Sequence, residues 1–318
     1  MESALPVGPR QRAWQLRWRI SAIVFTLLMC TLYIGMIGLG TRFLTTPIRR
    51  LVVTTPDRVG LVYQNVSFPA RHDGIRIAAW HIPANTTPNR VIIFVHGKDS
   101  CRSCEFRGRA LDFARAMHAR GFGVLMLDLR NHGESGNSLL TYGLSEKNDI
   151  LGAVDWLRTH GYPADNIGVL GVSLGSASAL YAAAEEPAIG AVVVDSGYAD
   201  LRSVITQSMT RFGWSGLNYM LAVEGASQIA FGTNVLNAAP VDEIQRIMPR
   251  PIMFIHGGRD SLVPVSNVWR NAAAAGTTPW IIPEAQHASI YSRVPEAYAT
   301  RVGNFFDAAL VDTSAVDR

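Results

Sequence analysis

The stretch "NIGVLGVSLGSASAL", residues 166–180, decides how this chain is read. An apolar, β-branched run ends in Gly171-Val172-Ser173-Leu174-Gly175 and passes at once into small, helix-tolerant residues. The run reads as a strand buried on both faces, and its continuation reads as a helix. A turn that tight between strand and helix strains the serine backbone. A side chain at 171 or 175 would collide with the neighbouring strand or helix, and glycine at both positions removes the collision. The strain predicts that Ser173 Oγ stands out at the carboxyl edge of a sheet. There it sits at a helix N-terminus whose dipole favours developing negative charge.

Outward from this stretch, strands and helices alternate. Residues 61–70 and 75–84 read as two strands joined by a turn at Arg71-His72-Asp73-Gly74. "VIIFVHG" (91–97) is a continuous β-branched strand, followed by Phe106, Ala110, Phe113 and Met117 at helical spacing. Residues 122–130 form the next strand, and Ile150, Val154 and Leu157 line a helix ending near Gly161. After the helix over 175–185 come strands at 189–196, 251–260 and 278–287, and a closing helix over 295–310. This alternation demands right-handed crossovers and a mostly parallel sheet. Residues 199–248 interrupt the rhythm, with Phe212, Trp214, Tyr219, Met220 and Phe231 among them and no strand signal. They predict a helical cap insert over the strand ends, one of whose helices covers the sheet.

The chain has 318 residues, 48% hydrophobic and 17% charged, which suits one large α/β domain with attachments and excludes disorder. The net charge of +4 comes from basic residues spread along the chain, with no Lys/Arg run interleaved with aromatics. That balance argues against a nucleic-acid partner. "ISAIVFTLLMCTLYIGMIGLG", residues 20–40, carries no charge. At 1.5 Å per residue it reaches about 31 Å, close to the hydrocarbon thickness of a bilayer. A cleaved signal peptide would have a shorter apolar region and a clean site, and "GLGTRFLTTP" (38–47) offers none. A core helix would show polar residues on one side. The expectation is a single-pass signal anchor at 20–40, after a basic tail (1–19) and before a linker (41–60). The globular domain then spans 61–310, with a tail at 311–318. Arg10, Arg12, Arg17 and Arg19 nearly balance Arg42, Arg49 and Arg50 across the segment. Keeping the short basic tail inside puts the domain on the extracytoplasmic side. Cys30 falls in the anchor, and Cys101 and Cys104 form a C-x-x-C without a second pair, which argues against structural zinc. Outside the cytoplasm the two would close a disulfide; inside they would stay thiols.

A serine hydroxyl needs an adjacent base, itself oriented by a carboxylate. After an elbow of this kind the partners follow in the order acid, then histidine. His287 lies beyond the last two strands, after "WIIPEAQ", and Asp260 ends "FIHGGRD" in the loop before it. Both can converge on the sheet edge that carries Ser173. Asp195, at the end of "AVVVD", is the rival acid, with loop capping as its plain alternative. Glu284 reads as a surface charge, and His72, His81, His96, His160 and His256 as structural or exposed. A tetrahedral oxyanion needs two backbone donors, for which the N–H groups of Leu174 and Lys98 are the candidates.

Taken together, "VIIFVHGKDS", "DLRNHGESG", "GVSLGSASAL", "FIHGGRDSLVP" and "EAQH" resemble, in order and spacing, the motifs of the α/β-hydrolase superfamily. Within it the chain looks like a membrane-anchored serine hydrolase of the Bem46-like and ABHD-type group. The resemblance covers about residues 60–310. It implies an α/β-hydrolase fold with Ser173 as nucleophile, Asp260 as acid and His287 as base, and no metal or organic cofactor. "DLRNHGES" resembles the family's pocket-shaping loop, and no catalytic role passes to Arg130 or His132. The lysine and C-x-x-C of "HGKDSCRSC" depart from the family's oxyanion loop. The expected activity is ester or thioester hydrolysis through an acyl-serine, on a small apolar or acyl-bearing substrate. A peptidase or acyltransferase on the same three residues is the nearer alternative, and a non-catalytic anchored binding protein the more distant one.

Overall fold

Eight strands of one twisted sheet carry the described residues 8–85, 90–210, 213–231 and 234–310 of this computed structural model. Parts of the expected tails (1–7 and 311–318), Phe212, and the side chains of Trp214 and Phe231 lie outside them.

Helix α1 (Pro9–Thr45) opens the chain with proline at its start, where the missing N–H costs nothing. It stops at Thr46, which is extended (φ −119°, ψ 103°) as a residue before proline prefers. The helix therefore runs past both ends of residues 20–40, taking in Arg10, Arg12, Arg17 and Arg19. It is long and apolar enough to span a bilayer, with a mean hydropathy of 2.3 over its most apolar window. None of that window is buried in the protein.

Residues 46–60, expected as linker, lie hydrogen-bonded to the domain. Ile48 N donates to Asp99 Oδ1 at 2.7 Å, and Arg50 Nε to the Asp99 carbonyl at 2.6 Å. Arg49 donates to the carbonyls of Gly133 and Ser135, both at 2.9 Å.

Strands β1 (Gln64–Pro69) and β2 (Arg76–Ile82) form the expected antiparallel hairpin, and β2 pairs antiparallel with β4. The others are parallel: β3 (Val91–Val95), β4 (Gly123–Leu127), β5 (Ile167–Val172), β6 (Ile189–Asp195), β7 (Ile252–Gly257) and β8 (Trp280–Ile282). Their order across the sheet is 1-2-4-3-5-6-7-8. The sheet is covered by helices on both faces, as continuous apolar strands require. In chain order these begin with the short α2 (Glu105–Gly108), α3 (Ala110–His118), α4 (Lys147–Thr159) and α5 (Leu174–Glu185). The insert supplies α6 (Leu201–Met209), α7 (Gly213–Phe231) and the short α8 (Ile244–Ile247). Then come α9 (Ser266–Ala274), the short α10 (Ile290–Arg293) and α11 (Pro295–Ala309). The protein has the α/β-hydrolase fold. Among the described residues α6 and α7 form the cap; α8 packs back on α5, so the insert's end belongs to the sheet's covering layer. Two buried clusters sit on opposite faces of the sheet, one around Val169, Leu180 and Val192, the other around Phe94, Phe113 and Tyr298.

Candidate active site

β5 ends at the elbow that the quoted stretch predicts. Ser173 adopts φ 54° and ψ −113°, outside the ordinary regions for a side-chain-bearing residue. Its amide donates to the Asp195 carbonyl at 2.8 Å, and Ser176 Oγ donates to the Gly171 and Asp195 carbonyls at 2.6 and 2.8 Å. These bonds hold the turn against its strain. A Cβ at Gly171 would lie 2.2 Å from the Gly175 carbonyl oxygen, and one at Gly175 would lie 2.4 Å from that of Val95. The first clash is with the helix that follows, the second with β3 alongside. Only glycine fits at either position.

The structure brings Ser173, His287 and Asp260 together. Ser173 Oγ lies 2.9 Å from His287 Nε2, and His287 Nδ1 lies 2.7 Å from Asp260 Oδ2. A carboxylate can only accept, so Nδ1 carries the proton and Nε2 is left to accept from the serine hydroxyl. Asp260 follows β7 and His287 follows β8, so both reach the same carboxyl edge. The imidazole is partly exposed toward a cavity, whereas the Asp260 carboxylate is fully buried. Burial alone would push that carboxyl up. Donation from His256 and His287 and from the Val263 amide outweighs it and holds Asp260 at about 2.

Leu174 is the first residue of α5, and its N–H is one of those an α-helix leaves without an internal partner. Lys98 lies in the loop after β3. Gly97 N donates to Glu105 Oε2 at 2.7 Å, and Asp99 N to His132 Nε2 at 3.3 Å. Lys98 and Leu174 line the same cavity as Ser173 and His287. That cavity measures about 610 Å³, within the range of small-molecule sites. Its walls are largely apolar, with Leu201, Val204, Ile205, Met209 and Met220 from the cap. Leu236, Leu262 and Val263 come from the loops, and Gly40 and Leu44 from the end of α1. Among the described residues, no group of three or more His, Cys, Asp or Glu side chains could hold a metal ion.

The sequence profile of the prolyl oligopeptidase family (Peptidase_S9) matches residues 111–312. The chain belongs to that family. Among curated relatives, the uncharacterized protein YqkD of Bacillus subtilis (strain 168) is 27% identical over 247 residues. The match takes in 74% of this chain and 76% of YqkD. Among solved structures, the Pyrococcus furiosus esterase Pf2001 superposes with a TM-score of 0.68 at 25% identity. It covers 84% of this chain and 100% of the esterase. The Pyrococcus horikoshii acylaminoacyl peptidase shares the fold, with a TM-score of 0.59 at 19% identity. That match covers 79% of this chain and 42% of the peptidase. A hydrolase of the prolyl oligopeptidase family is what these likenesses support.

The rival candidates of this family member sit elsewhere. Asp195 is buried beneath the elbow, where its carboxylate accepts from Ser196 Oγ at 2.8 Å and Tyr298 Oη at 2.9 Å. Burial pushes it up to about 6. His96 is buried with Nε2 accepting the Leu129 amide at 3.1 Å, and burial lowers it to about 4. Glu284 pairs with Arg259 at the surface. Arg130 is buried in a fork-like pairing with Asp149 and also reaches Asp73. Cys101 and Cys104 form a disulfide just before Glu105.

Two residues at the site carry no sequence signal. Glu105 reaches back eight residues to the Gly97 amide, and it is followed by left-handed Phe106 and Arg107 (φ 57° and 60°), none of which a motif announces. His256 meets Asp260 four residues on because the chain turns back after β7.

Proposed function

We propose that this protein is a membrane-anchored serine hydrolase that cleaves carboxylic ester or thioester bonds through an acyl-serine intermediate. We infer further, from its motifs, that it resembles the Bem46-like and ABHD-type group of the α/β-hydrolase superfamily. The hydrogen-bonded series Ser173–His287–Asp260, opening into an apolar cavity, is the observation that carries the reading. Fold alone would not.

In this scheme Ser173 Oγ attacks the substrate carbonyl carbon while His287 Nε2 takes its proton. The oxyanion forms beside the N–H groups of Leu174 and Lys98, where the start of α5 adds its dipole. His287 then gives the proton to the departing oxygen or sulfur, leaving acyl-Ser173. A water that delivers its proton to Nε2 attacks the acyl carbon, and collapse frees the acid and restores the serine. Asp260 keeps Nδ1–H in place and supports the imidazolium. The chemistry calls for no metal or organic cofactor.

Helix α1 serves as the anchor. A disulfide at Cys101–Cys104 suits an oxidising compartment and supports an extracytoplasmic domain with Arg10, Arg12, Arg17 and Arg19 on the cytoplasmic side. The family match and the acylaminoacyl peptidase likeness favour one other reading, peptide or acyl-peptide cleavage by the same residues. A panel of acyl esters of graded chain length, thioesters and acyl-peptides, run beside fluorophosphonate labelling, tests both. Ser173 should take the label and Ser173→Ala should lose it. Faster turnover of acyl-peptides than of any ester would favour the peptidase. A folded wild type that takes no label and turns over nothing would end the hydrolase reading.

A further inference from the structure

The cap and the anchor touch in a way the catalytic scheme does not use. Tyr33, inside the uncharged segment 20–40, donates its hydroxyl to the Asn218 carbonyl of α7 at 3.3 Å. The Tyr219 ring sits on Gly40, where a Cβ would fall 1.3 Å from its hydroxyl oxygen. Helix α7 therefore crosses α1 between residues 33 and 40. At 1.5 Å per residue that crossing covers the last ~10 Å of the spanning segment. If residues 20–40 fill the hydrocarbon layer, the Asn218–Tyr219 turn of α7 lies within it at the domain's edge. The composition of α7 suits that depth. Apart from Tyr219, its one ionisable residue is Glu224, which is held by Arg202 at 3.0 Å. Ile229 is 88% exposed and Leu221 54% exposed, outside the cavity. Gly40 and Tyr219, where the two helices meet, both line the cavity that holds Ser173.

We infer that the catalytic cavity is loaded sideways from the bilayer, past the α1–α7 junction, by the acyl chain of a membrane-resident ester. This rests on the serine hydrolase reading and names its substrate class. An apolar chain already in the membrane would enter at the α1–α7 junction once the Tyr219 ring, packed on Gly40, swings aside, and would bring its carbonyl to Ser173 without crossing water. The head of the molecule would stay at the polar boundary.

The test uses the full chain in dioleoylphosphatidylcholine vesicles carrying monooleoylglycerol, with p-nitrophenyl butyrate as the soluble comparison. Leu221→Glu combined with Ile229→Glu places charge on the exposed face of α7 without touching the cavity. We expect monooleoylglycerol turnover to fall at least about tenfold and butyrate turnover to stay within about twofold. Unchanged monooleoylglycerol turnover would overturn the inference while leaving the hydrolase intact. If the double variant loses both activities, depth decides. A bimane on Ile229→Cys, in a Cys30→Ser background, should be quenched by acyl-chain-brominated lipid and shielded from aqueous iodide. Quenching by iodide alone would overturn the inference. Should the wild type hydrolyse neither ester and take no fluorophosphonate, the serine hydrolase reading fails, and the bimane result still judges whether α7 is immersed.

Discussion

His256 and His287 share one carboxylate oxygen: Nε2 of the first lies 3.3 Å from Asp260 Oδ2, and Nδ1 of the second 2.7 Å. His256 Nε2 also lies 2.9 Å from the Val263 carbonyl, which can only accept, so it carries its proton and donates to both. The other oxygen of Asp260 accepts from the amides of Leu262 and Val263 at 3.0 and 2.8 Å. His256 is therefore a positioning residue for the acid.

Replacing His256 with leucine removes one donor from that carboxylate. A hydrogen bond worth ~0.5–1.5 kcal/mol predicts a fall in kcat of about 2- to 12-fold with KM little changed. His256→Gln, which can still donate, should recover part of the loss. The pH dependence has a definite sign. Asp260 is depressed to about 2, so its contribution to stability is complete above the unfolded value near 3.8 and drains as pH falls toward 2. Acid unfolding followed by circular dichroism should begin at higher pH in His256→Leu. An unchanged midpoint with unchanged kcat would show that His256 does not position the acid.

Ser173 stores backbone strain at φ 54° and ψ −113°. Glycine adopts such a conformation freely, so Ser173→Gly should raise unfolding stability by about 1–2 kcal/mol while abolishing fluorophosphonate labelling. Urea denaturation of the two proteins side by side checks it. A destabilised glycine variant would mean that the serine's contacts outweigh the strain.

Gly175→Ala presses a methyl to 2.4 Å from the Val95 carbonyl oxygen, and neither backbone can yield without moving β3 or α5. The expected cost is at least ~3 kcal/mol, with loss of activity even where the protein folds. Thermal unfolding and ester turnover together report it. Wild-type values for both would show that the elbow relaxes more easily than this packing allows.

Asp195, buried under the elbow and raised to about 6, pulls stability the other way. A carboxyl that holds its proton more tightly when folded stabilises the protein at low pH, and the benefit is lost as pH rises from 3.8 to about 6. Asp195→Asn keeps the shape and removes the titration. Denaturant midpoints measured across that window should slope downward with pH more steeply in wild type than in the variant. Parallel curves would place the titration elsewhere.

How far the chain can be read from its residues alone depends on the range of the forces involved. The elbow was legible because the collisions that demand Gly171 and Gly175 are between near neighbours. Asp260 and His287 were legible because strand order carries each to the same sheet edge. Glu105 was not, since its side chain meets the Gly97 amide across an eight-residue loop whose path no residue pattern announces. Residues 46–60 read as linker by composition, yet Ile48, Arg49 and Arg50 spend their donors on carbonyls and a carboxylate of distant loops. The docking of α7 on α1 left no periodic trace either, because it shows in separate contacts at Tyr33 and Gly40 rather than in a repeating face.

Helix α1 passes into the domain without a joint. The Leu140 amide donates to the Thr45 carbonyl at 2.9 Å, and Tyr142 Oη to that of Leu44 at 3.0 Å. These bonds tie the domain directly to the end of α1. If α1 anchors the protein in a bilayer as proposed, its working radius is set by its own thickness, and encounters take place in a plane, governed by surface density and two-dimensional diffusion rather than by bulk concentration.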